Sequence, residues 1–262
     1  MGNRIWITWE TQRRSLELAK ILGCKLFVIE VEGRFRYPKS ILKTLKILKT
    51  TKPQICFVQN PSMILATIAC VYGIMTRTKI VVDRHTTFLL SKSYRLNIKL
   101  LIFKLLHRFT IKYADLTIVT NDFLSGIVWQ LGGRPFVLPD KLPEITSKTR
   151  VPLKGKINIL MISSFGKDEP IENVLKAMKP FESQDVFLYI SGNYKKLDID
   201  VFNKSPSNVI FTGFIPDDEF VNMIFSVDAV MALTTSDYCM LCGCYEALSA
   251  EKPLITSNKD VL

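Results

Sequence analysis

The sequence has no hydrophobic run long enough to cross a membrane and no recognisable export signal. Its longest apolar stretch, residues 64–75, is about a dozen residues long, whereas a bilayer span needs about 20. No signal-peptide pattern precedes the first strand-like segment, residues 4–9, so we expect a cytoplasmic protein. With 48% hydrophobic and 23% charged residues, the composition is globular and excludes collagen, a coiled coil, a disulfide scaffold or a largely disordered chain.

The net charge of +11 is unevenly distributed along the 262 residues. Residues 1–150 contain 25 Lys and Arg against 9 Asp and Glu, whereas residues 151–262 contain 10 against 15. The basic first half predicts an anionic partner, such as a phosphorylated ligand, nucleic acid or membrane headgroups. Nucleic acid is disfavoured because the sequence has no helix-turn-helix, RRM, KH or zinc-finger pattern.

Strand-like and helix-like segments alternate along the chain. The alternation is interrupted at residues 139–156, where prolines accumulate and hydrophobic periodicity is lost. We therefore expect two domains, residues 1–138 and 157–262, joined by a linker. Repeated βαβ alternation predicts an α/β fold with two Rossmann-like, doubly wound domains, each built on a mostly parallel sheet. Ligands of such folds bind beyond the carboxyl ends of strands, so a cleft between the two domains is the expected site.

The segment 94–114 is predicted to be a basic amphipathic helix. Lys99, Lys104, Arg108 and Lys112 recur along it at a spacing close to one helical turn. Such a helix can bind anionic membrane surfaces, but this segment alone fits the solvated basic face of an ordinary domain helix slightly better. Because the whole first half is basic, we expect peripheral contact with the inner face of the cell membrane.

The two histidines stand in different local contexts. His85 follows the strand-like segment 79–83, and an imidazole at the carboxyl end of a strand can hydrogen-bond a sugar or phosphate oxygen. A capping or packing histidine in a turn fits that position equally well. His107 lies within the basic helix and is predicted to be a solvated surface residue.

Two loops in the second half carry groups suited to an anionic ligand. Lys167 follows Gly166 ahead of a helix-like segment, where an ammonium and backbone N–H groups can meet a phosphate. The Walker spacing is absent, and an ordinary loop with a solvated lysine is the alternative. A second helix is predicted to start near residues 241–243, and Glu246 lies within a turn of that start, where it can reach ribose hydroxyls or cap the helix.

The spacing Cys239-x-x-Cys242-x-Cys244 invites a metal interpretation. Structural zinc sites take four ligands, and no second cluster of Cys or His lies nearby to complete the set. We therefore expect no metal site here.

Several short motifs in the second half occur in a characteristic order. They are Gly213 at a strand end, Asp228 before the next strand, Glu246-Ala247-Leu248, and Lys252-Pro253-Leu254-Ile255. In this order they resemble the donor-binding half of GT-B-fold glycosyltransferases of the group 1 (family four-like) type. The match covers most of residues 157–262, and the strand 114–121 and His85 are compatible with the acceptor domain of that family. The resemblance implies GT-B architecture with a C-terminally incomplete second domain.

The sequence also departs from the family pattern. Glu246 corresponds to the second of the two family glutamates, while Tyr238 occupies the place of the first, next to Asp237. Residues 163–164, both serine, occupy the place of the family's Gly-Arg, and Lys167 is the nearest remaining cation. The contacts to the donor diphosphate are therefore expected to differ from the family pattern.

The resemblance implies a retaining hexosyltransferase that moves a sugar from a nucleoside-diphosphate sugar to an acceptor hydroxyl, without a cofactor. The implied roles are ribose binding by Glu246, diphosphate binding by Cys242, Gly243, Cys244 and Lys167, and catalytic contacts of Asp237 with the donor sugar and of His85 with the anomeric centre. The implied partners are the nucleotide-sugar donor and a glycan or lipid-linked acceptor, in polysaccharide or glycolipid synthesis.

The first loop has arginines where the family has a glycine pair. We expect Arg13 and Arg14 to grip an anionic acceptor. Two other functions fit the sequence. One is a nucleotide-sugar epimerase on the same fold, which would need no acceptor. The other is a truncated, non-catalytic binding module, which the altered phosphate loop favours.

Overall fold

The computed structural model describes residues 2–60, 62–84, 98–147 and 149–262. These residues form two compact units, the first ending at Asp140 and the second beginning at Lys141. In the described ranges, no helix combines the length and the apolar character that crossing a membrane requires.

The first unit contains a six-stranded parallel sheet in the order β2-β1-β3-β4-β5-β6. Its strands are β1 (Arg4–Thr8), β2 (Lys25–Val28), β3 (Ile55–Asn60), β4 (Lys79–Arg84), β5 (Leu116–Val119) and β6 (Pro135–Val137). Its helices are α1 (Arg13–Ile21), α2 (Arg36–Thr51), α3 (Met63–Thr76), α4 (Ile98–Tyr113) and α5 (Asp122–Gln130).

Both faces of this sheet are buried. Ile5 and Ile7 belong to one apolar cluster and Trp6, between them, to another. Because successive strand residues point to opposite faces, the three central residues of β1 are apolar on both faces, as expected when helices cover both sides of a parallel sheet.

The second unit contains a five-stranded parallel sheet in the order β11-β10-β7-β8-β9. Its strands are β7 (Ile157–Ile162), β8 (Val186–Ser191), β9 (Val209–Gly213), β10 (Ala229–Ala232) and β11 (Leu254–Thr256). Its α-helices are α6 (Ile171–Met178), α7 (Ile199–Asn203), α8 (Asp217–Ser226) and α9 (Cys242–Ser249), with short 3₁₀ helices at Lys179–Phe181 and Tyr194–Lys196. The two parallel sheets confirm the predicted α/β fold with Rossmann-like units.

Residues 141–156, predicted from the sequence to be part of a linker, pack onto the second unit. Ile145 and Leu153 contact the apolar cluster that contains Leu160. The backbone N–H of Val151 donates to Oγ of Ser226, at 2.8 Å. The described part of this segment therefore runs over α8 and contributes to the second core.

Candidate functional site

The strand order of the second sheet creates a crevice between β7 and β10. From β7 the chain continues to β8 and β9 on one side, and β10 and β11 then lie on the other side of β7. At such a reversal, the loops leaving two neighbouring strands turn in opposite directions and open a ligand crevice beyond their carboxyl ends. Residues 163–170 leave β7 and residues 233–241 leave β10, so the two loops singled out in the sequence meet at this point.

Helix α9 starts against the ends of these two strands. It begins at Cys242, where the sequence placed a helix start, and its N-cap residue Leu241 makes no side-chain capping bond. A Cβ atom added to Gly243 would lie 3.1 Å from Cβ of Ala232 and 3.2 Å from Cβ of Ile162. Glycine therefore lets the first turn approach β7 and β10 closely, and the positive end of the helix dipole faces the crevice.

Two of the predicted donor residues differ in accessibility on this helix. Cys242 is exposed and Cys244 is buried. Burial raises the pKa of the Cys244 thiol, whose Sγ lies 3.7 Å from Oγ1 of Thr256. Glu246 is partly buried one turn into the helix. In the described part of the chain, no three His, Cys, Asp or Glu side chains are arranged to hold a metal ion.

Asp237 lies on the loop after β10 and forms an ion pair. Lys259 Nζ lies 2.6 Å from Oδ1 of Asp237, whose side chain is 59% exposed. The carboxylate is thus accessible to a ligand and has a fixed cationic neighbour. Lys259 is not part of any motif in the sequence. Its contact with Asp237 was not predicted, because only the fold brings residues after β11 next to the loop after β10.

The loop after β7 is organised around the carboxylate of Glu169. The backbone N–H groups of Ser164 and Phe165 donate to its two oxygens at 3.0 and 2.9 Å. The hydroxyl of Ser164 donates at 2.8 Å, and the hydroxyl of Ser163 donates to the second oxygen. A turn whose successive N–H groups converge on one point is an anion-binding arrangement, and here a side chain of the protein occupies it. Sequence reasoning missed this role of Glu169.

The shape of this loop depends on a close backbone approach. A Cβ on Gly192, whose φ is +109°, would lie 1.9 Å from the carbonyl oxygen of Ser163. Only glycine fits at that position. Phe165 itself has a left-handed φ of +54°.

Asp168 joins the loop after β7 to the loop after β10. Thr234 Oγ1 donates to Oδ2 of Asp168 at 2.8 Å. The backbone N–H of Thr235 donates to the Asp168 carbonyl oxygen at 2.6 Å. The mouth of the crevice is therefore held together by direct hydrogen bonds.

Beside this loop lies a cavity of about 420 Å³ that contains Lys167. Lys196 also lines the cavity, and its Nζ donates to the carbonyl oxygen of Ser164 at 2.8 Å. The carboxylates of Glu169, Glu172 and Asp198 line the same space. The sequence analysis did not single out Lys196 as a site residue. The signal that could have identified it is the pair Lys195-Lys196 shortly after β8, near the carboxyl end of that strand.

In the first unit, the structure gives Arg14 a buried ion-pair network. Its Nε lies 3.1 Å from Asp83 Oδ2 and its Nη1 lies 2.6 Å from Asp140 Oδ1. Burial lowers the pKa of Arg14, but the carboxylates of Asp83 and Asp140 more than offset this and raise it. Arg13 is exposed, with Nε 3.4 Å from Glu17. The acceptor role stays a prediction for both arginines, and Arg14 would have to leave two carboxylates to perform it.

The structure tests the prediction for one of the two histidines. His85 lies outside the described residues. The prediction that His107 is solvated was wrong, because Nη1 of the buried Arg84 donates to its Nδ1 at 2.8 Å. Burial, followed by the charges of Arg84 and Arg108, lowers the pKa of His107 to about 4. The sequence placed His107 within a basic helix, and the helical pattern does not indicate that Arg84 of β4 contacts this histidine.

Several solved structures have a similar fold. HepE of Anabaena in complex with UDP-glucose matches with a TM-score of 0.66 and 12% identity, over 98% of this chain and 73% of HepE. The lipopolysaccharide outer core galactosyltransferase WaaB matches with 0.65 and 14%, over 98% and 81%. A candidate UDP-N-acetylglucosamine 2-epimerase of Listeria monocytogenes matches with 0.62 and 12%, over 97% and 79%.

No protein-family model and no curated protein matches the sequence. The structural similarities show the fold, a pair of Rossmann-like units as in GT-B glycosyltransferases. This confirms the fold that the motif order in the second half implied. Because one fold supports several reactions, the function depends on the residues at the β7–β10 crevice.

Proposed function

We propose that this protein is a glycosyltransferase that moves a sugar from a nucleoside-diphosphate sugar to an acceptor hydroxyl. The observation that carries the proposal is the start of α9 against the ends of β7 and β10, with Glu246 one turn later. A helix N-terminus at a topological switch point suits a diphosphate, and a carboxylate nearby suits ribose hydroxyls. HepE, which has a similar fold, has been solved with UDP-glucose.

In the proposed reaction, this chain stabilises the departing diphosphate. The first backbone N–H groups of α9, at Cys242, Gly243 and Cys244, together with Lys167, bind the negative charge that develops on the diphosphate. This charge develops as the bond from the anomeric carbon to the diphosphate breaks and the glycosidic bond to the acceptor oxygen forms. Asp237 contacts the donor sugar, and Glu246 binds the ribose. The assignment includes no metal ion or other cofactor, because the helix start and the lysine serve the phosphates. The sequence resemblance adds a catalytic role for His85 at the anomeric centre.

The finer proposals follow from the sequence resemblance. They are a hexose as the sugar, retention of configuration, and a glycan or lipid-linked acceptor in polysaccharide or glycolipid synthesis. Retention would be checked by the anomeric configuration of the product in a proton NMR spectrum.

The test of the donor site is calorimetric titration of the chain with UDP, GDP and ADP. We expect one of the three to bind and Glu246→Ala to weaken that binding at least tenfold. Glu219→Ala, which removes an exposed carboxylate on α8, is the matched control and should bind like the parent. If a folded protein binds none of the diphosphates, or if both variants bind equally well, the proposed donor site is wrong.

A non-catalytic binding module is the second candidate. The observation that favours it is the position of Glu169, whose carboxylate occupies the N–H groups of Ser164 and Phe165. A phosphate at that point would meet a negative charge as well as Asp168 beside it. Sugar release from a bound donor distinguishes the two functions, because a binding module holds the nucleotide sugar without turning it over.

A nucleotide-sugar epimerase is the third candidate, favoured by the fold shared with the candidate epimerase of Listeria monocytogenes. Incubation with UDP-N-acetylglucosamine alone separates the two reactions. An epimerase produces a new sugar isomer without an acceptor, whereas a transferase needs the acceptor hydroxyl.

We also propose peripheral binding to an anionic membrane, through the outer faces of α2 and α4. On α4, Leu101 and Leu105 are 55% and 59% exposed beside the exposed Lys104 and Arg108. On α2, Leu42 is 68% exposed among lysines. Exposed apolar side chains next to cations are what an interfacial helix presents to acidic lipid headgroups.

Flotation with vesicles tests this surface. The protein should float with vesicles of phosphatidylcholine and phosphatidylglycerol and much less with phosphatidylcholine alone. The double variant Lys104→Gln, Arg108→Gln should lose most of the preference. The control Lys176→Gln, Lys204→Gln, with the same charge change on the second unit, should keep it. Equal flotation with both lipids would remove the membrane part of the proposal.

A further inference from the structure

A second cavity, of about 710 Å³, lies within the first unit. Its walls include residues that follow three strands: Trp9 after β1, Glu30 after β2 and Ser62 after β3. Helices α2 and α4 contribute Tyr37 and Phe103. The cavity thus opens at the carboxyl edge of the sheet, beside the switch between β1 and β3, where an open α/β sheet binds ligands.

Two aromatic rings in this cavity are held in place by their own contacts. The ring centroids of Trp9 and Tyr37 lie 6.3 Å apart at 59°. Trp9 Nε1 donates to Thr44 Oγ1 at 2.9 Å, which holds the indole. Arg36 stacks over Tyr37 with Cζ 4.6 Å from the ring centroid, and its Nη2 donates to the phenol oxygen at 2.7 Å. Rigid aromatic faces of this kind pack against the apolar C–H faces of sugar rings.

Carboxylates, which accept hydrogen bonds, are prominent among the polar groups of the cavity. Glu10, Glu30 and Glu32 all line it. Glu30 Oε1 accepts from the backbone N–H of Thr11 at 3.1 Å, which orients this carboxylate. Ser40, which is 4% exposed, also lines the cavity. A hydroxyl both donates and accepts, so Ser40 offers a ligand a polar contact at the cavity wall.

The charge of the cavity is opposite to that of its surroundings. Residues 1–150 contain only 9 acidic residues against 25 basic ones, yet Glu10, Glu30 and Glu32 converge here. Arg36 is the single Lys or Arg among the lining residues that the structure describes, and it is engaged with Tyr37. Carboxylates favour hydroxyl and ammonium donors and repel anions, so the lining of this cavity disfavours an acidic ligand.

We propose that this cavity binds a saccharide that carries hydroxyl or amino groups and no acidic groups. The sugar stacks on Trp9 and Tyr37, and its donors meet Glu10, Glu30, Glu32 and the hydroxyl of Ser40. The inference rests on the proposed transferase function, for which this cavity is the acceptor site. It differs from the sequence expectation of an anionic acceptor held by Arg13 and Arg14.

Ligand-observed NMR without nucleotide tests the proposal, with three trisaccharides as probes: maltotriose, chitotriose with free amino groups, and trigalacturonic acid. We expect the first two to bind and the acidic one not to. The double variant Glu30→Gln, Glu32→Gln keeps the shape of both side chains and should weaken the binding of the amino trisaccharide at least fivefold. Trp9→Ala should abolish both signals. Glu17→Gln, on α1 and outside the cavity, is the control and should change nothing.

The result is independent of the donor site. The Glu246→Ala variant should bind the trisaccharides like the parent, so a failed donor site leaves this proposal standing. If UDP binds but none of the three saccharides does, the cavity proposal alone is overturned. It is equally overturned if trigalacturonic acid binds as tightly as maltotriose, or if Trp9→Ala leaves binding unchanged in a protein of unchanged circular dichroism.

Discussion

The backbone N–H of Phe165 donates a 2.9 Å hydrogen bond to Oε2 of Glu169. Ser164 donates to the other oxygen of the same carboxylate through its N–H and its hydroxyl. An N–H pair that converges in this way would otherwise be available to a phosphate. The loop after β7 therefore carries its own anion at the crevice where the proposed donor binds.

Removing this carboxylate should strengthen diphosphate binding. In Glu169→Ala the two N–H groups are released and one negative charge beside the crevice is lost, so we expect UDP affinity to rise three- to tenfold, or about 0.7–1.4 kcal/mol. Glu172→Ala, which removes another carboxylate lining the same cavity, is the control and should raise affinity less. Calorimetry measures both. Unchanged or weaker UDP binding by Glu169→Ala would show that the carboxylate organises the loop for the donor instead of competing with it.

Gly192 should tolerate no side chain. Because an added Cβ would lie 1.9 Å from the Ser163 carbonyl oxygen at a φ of +109°, Gly192→Ala should lower the free energy of unfolding by at least about 2 kcal/mol. Gly126, in α5, has no atom within 4 Å of an added Cβ. Gly126→Ala should therefore stabilise the protein by about 0.5–1 kcal/mol through helix propensity. Urea unfolding compares the two, and similar effects would contradict the close approach of Gly192 to Ser163.

The neighbouring arginines Arg13 and Arg14 should differ sharply. Arg14→Met removes a cation from the fully buried Asp83, and we expect a loss of about 3 kcal/mol in the free energy of unfolding. Arg13→Met removes an exposed ion pair with Glu17 and should cost less than about 0.5 kcal/mol. Urea unfolding of both variants measures the difference. Equal stability would mean that the buried network contributes nothing.

His107 should make stability depend on pH in the acid range. Its pKa is lowered to about 4 in the folded protein, whereas an unfolded histidine titrates near 6.5. Between these two pKa values the unfolded chain binds the proton more readily than the folded protein does. The contribution of the neutral His107 to the free energy of unfolding is therefore complete above about pH 6.5 and decreases as the pH drops towards 4. Because the ring is partly exposed, we expect a loss of about 1–2 kcal/mol.

The measurement is thermal unfolding of the parent and of His107→Gln between pH 7 and pH 4. Glutamine can still accept a hydrogen bond from Arg84 but does not titrate in this range. The parent should therefore lose more stability than the variant as the pH falls. Parallel curves would mean that His107 does not contribute to the pH dependence.

The fold was predictable because its signals are local. An apolar strand such as residues 157–162 is buried on both faces, and each such strand is followed by a helix-like segment with its own start and stop residues. The start of α9 at Cys242 was predicted for the same reason. Which strands are neighbours was not predictable in this way, because strand order depends on contacts between distant segments.

The partners of the charged side chains needed the tertiary structure. Arg14 pairs with Asp83 and Asp140, which are 69 and 126 residues away along the chain. The sequence shows only two adjacent arginines in a polar loop, and these suggested an anionic ligand for both. Sheet order brings the carboxylates next to Arg14 and leaves Arg13 at the surface.

The sequence by itself determined the two α/β units, the helix start at Cys242 and the motif order that resembles a donor-binding domain. These depend on hydrophobic period and on residue types at short spacing, which are properties of neighbouring residues. Only the tertiary structure decided that the carboxylate of Glu169 accepts hydrogen bonds from the N–H groups of the loop after β7. The same holds for the three glutamates that line one cavity in the first unit. Both depend on the path of the backbone. Gly192 permits the path of the loop that holds Glu169, and the order of β2, β1 and β3 brings the three glutamates to the same cavity.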